Sequence, residues 1–123
     1  MAWKKVSQAL SDFLANSVAG FTCQKKIMFG CPAYFVNGNM FTGVHQDTLF
    51  LRLAEPERRQ LLAEFDEAAP FEPMPGMMMK EYIAVPEALY HDSELFQAWL
   101  RRSYHFVATL PKKKPKDHKS RRP

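Results

Sequence analysis

Ala33-Tyr34-Phe35-Val36-Asn37-Gly38-Asn39-Met40-Phe41-Thr42-Gly43-Val44 is the stretch on which the fold turns. Two apolar runs flank Asn37-Gly38. A type I′ turn needs positive φ at both central residues, and asparagine followed by glycine supplies it most readily. The stretch is therefore predicted to be a β-hairpin. Downstream, Gln46-Asp47 turns the chain into Thr48–Leu53. There Leu49, Leu51 and Leu53 point one way, and Phe50 and Arg52 the other. Upstream, Gln24 to Phe29 reads as a further strand ending before Gly30. Connections this short cannot cross over to a parallel neighbour, so the region is predicted to be an antiparallel meander.

Helical spacing brackets the strands. Trp3, Val6, Leu10, Phe13, Leu14 and Val18 recur three and four apart and so share one face. A helix over Trp3–Val18 follows, with Gly20 as its stop in the left-handed conformation. Pro56 suits a first helical turn, and Glu57 to Phe65 reads as a short helix with Leu61, Leu62 and Phe65 near one face. Ala68 to Met79 is broken by Pro70, Pro73, Pro75 and Gly76 and reads as a loop, with Pro75-Gly76 at the centre of a type II turn. Tyr82–Val85 is predicted as the last strand, closed by Pro86. Asp92 or Ser93 caps a final helix whose buried stripe is Leu95, Phe96, Trp99, Leu100, Phe106, Val107 and Leu110, ended by Pro111. The expected fold class is α+β: an antiparallel β-meander sheet with N- and C-terminal helices packed on it.

A chain of 123 residues, 46% hydrophobic and 24% charged, has the size and balance of one globular domain. No apolar run is long enough to span a bilayer, and no uninterrupted apolar core follows Met1-Ala2-Trp3-Lys4-Lys5. With only Cys23 and Cys31, the composition points away from a disulfide-dense secreted domain. A cytoplasmic protein with no membrane partner is expected. The net charge of +4 is unevenly placed. Residues 112–123 hold seven Lys or Arg against one Asp, which leaves −2 for residues 1–111. Residues 1–111 are therefore expected to form the domain, and residues 112–123 a disordered basic tail.

The candidate chemistry is sparse. Cys23 and Cys31 lack CxxC spacing, and His45, His91, His105 and His118 fall in unrelated segments, so no metal site is expected. Met74, Met77, Met78 and Met79 cluster in the proline-rich segment. Thioethers bind Cu(I), but they also fill irregular gaps and form adaptable apolar surfaces, and packing is the expected role. Neither cysteine has a recognisable base pattern, and Ser7, Ser11 and Ser17 sit on a helix with no elbow around them. Gly30, Gly38 and Gly43 are turn and strand glycines and not a phosphate loop. No cofactor and no catalytic residue are expected. The one candidate set for nucleic acid is the basic run Lys112, Lys113, Lys114, Lys116, Lys119, Arg121 and Arg122. Such an arm neutralises phosphates without reading bases; the alternative is a solubilising appendage.

The succession Met28-Phe29-Gly30, Asn37-Gly38-Asn39-Met40-Phe41, Leu51-Arg52-Leu53, Pro70-Phe71 and Met79-Lys80-Glu81-Tyr82 to Val85-Pro86 resembles the N-terminal domain of the TfoX/Sxy family, bacterial regulators of DNA-uptake competence. The resemblance runs from about Val6 to Leu110. Met79 stands where such domains place a methionine shortly before an aromatic residue; Glu81 stands where they often have glycine. Full-length TfoX/Sxy regulators carry a second, C-terminal helical domain, whereas a basic run follows here; the resemblance implies a competence-regulator-like domain and leaves the regulated process open. The family offers no established catalytic set. What the resemblance implies is a non-enzymatic regulatory or interaction module with a protein partner or a homodimer. The alternatives are a nucleic-acid-binding accessory using the basic run, and a small enzyme whose site is assembled only in three dimensions.

Overall fold

The computed structural model describes residues 7–28 and 30–112. Trp3, Val6 and Phe29 lie outside them, as do Lys113, Lys114, Lys116, Lys119, Arg121 and Arg122 of the basic run. The described elements run α1 (Gln8–Ser17), β1 (Gln24–Met28), β2 (Cys31–Val36), β3 (Asn39–His45), β4 (Thr48–Arg52), α2 (Glu55–Glu64), β5 (Ala69–Met74), β6 (Met77–Val85), α3 (Glu87–Tyr90) and α4 (Ser93–Ala108). The strands form one antiparallel sheet in the order β1-β2-β3-β4-β6-β5. This is the expected α+β class, with the sheet larger than a simple meander.

The central hairpin forms as its turn chemistry requires. Val36 pairs with Asn39, Asn37 takes φ 54° and Gly38 takes φ 80°. Beyond it the register slips: Tyr34 opposes Thr42 but Phe35 opposes Met40, which leaves Phe41 as an extra residue in β3. This bulge turns both Phe41 and Val44 into the core, although their spacing of three would put them on opposite faces of a regular strand. Side-chain hydroxyls bond to carbonyls around it. Ser103 donates to the Phe41 carbonyl at 3.0 Å, and Thr42 donates to the Phe50 carbonyl at 2.8 Å.

The helices cover one face of the sheet. Leu10, Leu14 and Val18 from α1 and its end, and Phe96, Trp99, Leu100 and Val107 from α4, bury against Tyr34, Phe41, Val44, Leu49, Leu51, Ile83 and Val85. Side-chain donors lock the layers together: Gln97 donates to the Ser17 carbonyl at 2.8 Å and Tyr104 to the Thr22 carbonyl at 2.9 Å. Asp92 caps α4 by accepting from the Leu95 N–H.

Four expectations need correction. The first helix does not run through from Trp3, because Ser7 is extended and caps it, accepting from the Leu10 N–H. Gly20 does not end that helix in a left-handed conformation: α1 stops at Ser17, and the glycines with positive φ are Gly30, Gly38 and Gly76. Leu62 faces solvent, 37% exposed, while Leu61 alone fills the core from α2. The segment from Ala68 to Met79, expected as a loop, is largely strand. β5 and the first part of β6 form a hairpin around Pro75-Gly76, with Met74 opposite Met77 and Gly76 at φ 82°. β5 is an outer strand, and there Pro70 and Pro73 remove no ladder hydrogen bond that a central strand would need.

Candidate functional site

Side chains with the wrong parity for the helix-facing core gather on the other side of the sheet, where Phe50 and Phe71 bury one another and are each 4% exposed. Phe50 and Phe71 stack, with ring centroids 4.6 Å apart and planes at 21°. Tyr82 meets Phe50 edge-on at 5.7 Å, and His45 meets Phe71 at 6.0 Å. The Arg52 guanidinium lies 5.5 Å from the Tyr82 ring centroid and its Nε is 2.7 Å from Glu81 Oε1. Tyr82 also donates its hydroxyl to the Met40 carbonyl at 3.2 Å. Burial pushes the Tyr82 phenol up from its ordinary value; the adjacent Arg52 charge pulls it back, and Glu81 pushes it further up.

Gly43 makes this face possible. A Cβ there would lie 2.7 Å from Phe50 Cζ and 2.9 Å from the Pro32 carbonyl oxygen. The bare backbone lets the Phe50 ring lie across β3, as aromatic residues do opposite strand glycines. The face continues to the β5–β6 tip, where Met74, Met77 and Met78 are 53%, 48% and 55% exposed. Met79 is half-buried opposite Phe71. Expected to pack, the methionines thus divide, with Met79 packing and the other three facing water.

The opposite end of the sheet holds a cleft of about 440 Å³, lined by residues including Cys23, Gln24, Phe35, Asn37, Tyr104 and Lys112. Lys112 is the first residue of the basic run. It is placed there because Asn39 Nδ2 donates to the Pro111 carbonyl at 3.0 Å, tying the end of the domain to the central hairpin. On the adjacent strand β1 every residue is exposed, and Lys26 Nζ sits 4.9 Å from the Phe35 ring centroid. Lys26 is far from Lys112 along the chain, and the sheet brings both beside Phe35. Only the three-dimensional pairing of β1 with β2 reveals this.

Cys23 and Cys31 are both free. They stand at opposite ends of the β1–β2 hairpin, whose register runs from Gln24–Phe35 to Met28–Cys31. Burial pushes the Cys23 thiol up from its ordinary value, away from the thiolate form a nucleophile needs. Among the described residues no three His, Cys, Asp or Glu side chains converge on a point where a metal ion could sit. His45, His91 and His105 lie on β3, after α3 and on α4; His118 is outside the described residues. No described helix is long and apolar enough to cross a membrane.

Residues 18–107 match the model of a family described as the TfoX N-terminal domain. No curated protein and no solved structure matches the chain.

Proposed function

The chain belongs to the TfoX N-terminal domain family, and from that premise we propose that it is a non-enzymatic regulatory and interaction module. The observation that carries this reading is the cluster of exposed thioethers, Met74, Met77 and Met78, at the β5–β6 tip beside the buried Phe50–Phe71 stack. Unbranched thioethers adapt to a partner's shape, and contiguous exposed apolar surface marks contact sites. The partner is a protein, either another cytoplasmic chain or a second copy of this one. A photo-crosslinking residue at position 78 tests it. A discrete adduct in cells is expected, lost on Met77→Ser and absent with the crosslinker at the exposed Glu64. Sedimentation distinguishes a homodimer. A protein that sediments as a monomer and yields no adduct from position 78 would overturn the reading.

A second reading, a nucleic-acid-binding accessory using Lys112, Lys113, Lys114, Lys116, Lys119, Arg121 and Arg122, is favoured by the place of Lys112 in the cleft beside Phe35. Titrating the full chain and a chain ending at Pro111 against a short duplex at two salt concentrations tests it. Loss of most of the affinity on truncation, with a slope of roughly −0.9 per phosphate contacted, is the expected result. Equal binding by both forms would reduce the run to a solubilising appendage.

A further inference from the structure

The second reading leaves open which form of nucleic acid the basic run would serve, and the domain surface beside its root answers that. We infer that β1 and the adjoining cleft form a binding site for an unpaired nucleic-acid strand. The inference rests on the second reading above.

Three observations converge on this end of the sheet. β1 is an outer strand exposed along its whole length, and on the face it shares with Phe35 it carries a cation beside an apolar side chain, Lys26 and then Met28, 41% exposed. Half-buried Phe35 lies next to Lys26 and also lines the cleft. Lys112 lines the same cleft, held by the Asn39–Pro111 hydrogen bond, so the cations that follow it in sequence start from this point. Among the described residues, those lining the cleft include no carboxylate.

A duplex offers phosphates to such a surface but keeps its base faces stacked inside. A single strand offers both. Its backbone follows the cations while its unstacked bases take up apolar and aromatic surface. The mixture on β1 and Phe35 matches that second pattern. Lys26 now lies over the Phe35 ring; a base stacking there in its place leaves the ammonium free for a backbone phosphate. Nothing in this arrangement reads base edges, so recognition follows strand form and not sequence.

Fluorescence anisotropy of the full chain against a labelled single strand and the same sequence as a duplex, in DNA and in RNA, tests the inference. The single strand is expected to bind more tightly than the duplex; the DNA and RNA arms show whether the sugar matters. Lys26→Gln is expected to weaken single-strand binding about threefold and to flatten its salt dependence by roughly 0.7 for each phosphate no longer neutralised. Phe35→Leu keeps apolar bulk but removes the aromatic face, and a weakening of at least about fivefold is expected from the cost of unstacking one base. Both variants are first checked for an unchanged melting profile; if Phe35→Leu melts early, Met28→Ser, at an exposed position on the same face, takes its place with the same expected direction. Equal binding of single strand and duplex, unaffected by the β1 variants, would overturn this site while leaving the tail reading standing. No binding of any form at low salt would overturn both.

Discussion

Gly43 leaves almost no room for a side chain of its own. Its missing side chain is required by Phe50 on one neighbouring strand and by the Pro32 carbonyl on the other, at 2.7 and 2.9 Å from a Cβ. The ring tip can swing; the backbone carbonyl cannot. Gly43→Ala is therefore expected to destabilise the fold by about 1–3 kcal/mol, the usual cost of overpacking. Urea denaturation measures it, and Phe50→Leu in the same chain should recover part of the loss because the two sites touch. Residue-level demands of this kind were legible only where they were local. Asn37-Gly38 announces its turn because positive φ is a property of the two residues themselves, and they do take it. Gly43 announces nothing, since its constraint comes from residues seven and eleven positions away. The same holds for Arg52 and Glu81, whose 2.7 Å ion pair depends on β4 lying beside β6.

At the scale of elements, α4 holds the most of the core. Trp99 is 2% exposed and lies among Phe96, Leu100 and Val107 in the apolar cluster. Trp99→Ala is expected to cost about 3–5 kcal/mol, and thermal or chemical denaturation would show it directly. A variant that melted like the parent would mean that α4 is not core. Its stripe was readable because helical periodicity survives whatever the helix packs on. Two other features were not readable. The prolines of β5 argue for a loop by local propensity, yet an outer strand tolerates them, and Phe71 is held in place by stacking on Phe50. The β3 bulge breaks the alternation that a strand pattern relies on, so the burial of both Phe41 and Val44 followed from no simple period. The two sites differ in the same way. Lys112 and the run after it stand out as charge, whereas the aromatic face and the convergence of Lys26, Phe35 and Lys112 needed the strand order.

The molecule as a whole stores a dependence on alkaline pH. Burial raises the phenols of Tyr34, Tyr82 and Tyr90; neighbouring Cys23 adds to the first, and Glu87 and Asp47 to the last. Burial raises the Cys23 thiol as well. Each group favours its neutral form more strongly in the folded chain than in the unfolded one. Their contribution is thus fully present below the unfolded values, about 8.5 for the thiol and about 10 for the phenols, and is lost as pH rises through the higher folded values. Melting temperature is expected to fall above about pH 10, more gently in Tyr82→Phe than in the parent. A parallel fall in both would remove Tyr82 from the account.

The two margins of the sheet are chemically unequal. β5 carries Pro70 and Pro73 and two breaks in its pairing, whereas β1 carries no proline and keeps an unbroken register with β2. An outer strand without proline is the margin open to a further extended segment, and one interrupted by proline is not. Were two copies to join through β1, each would turn only its β5 margin outward, and such a joining would stop at a pair.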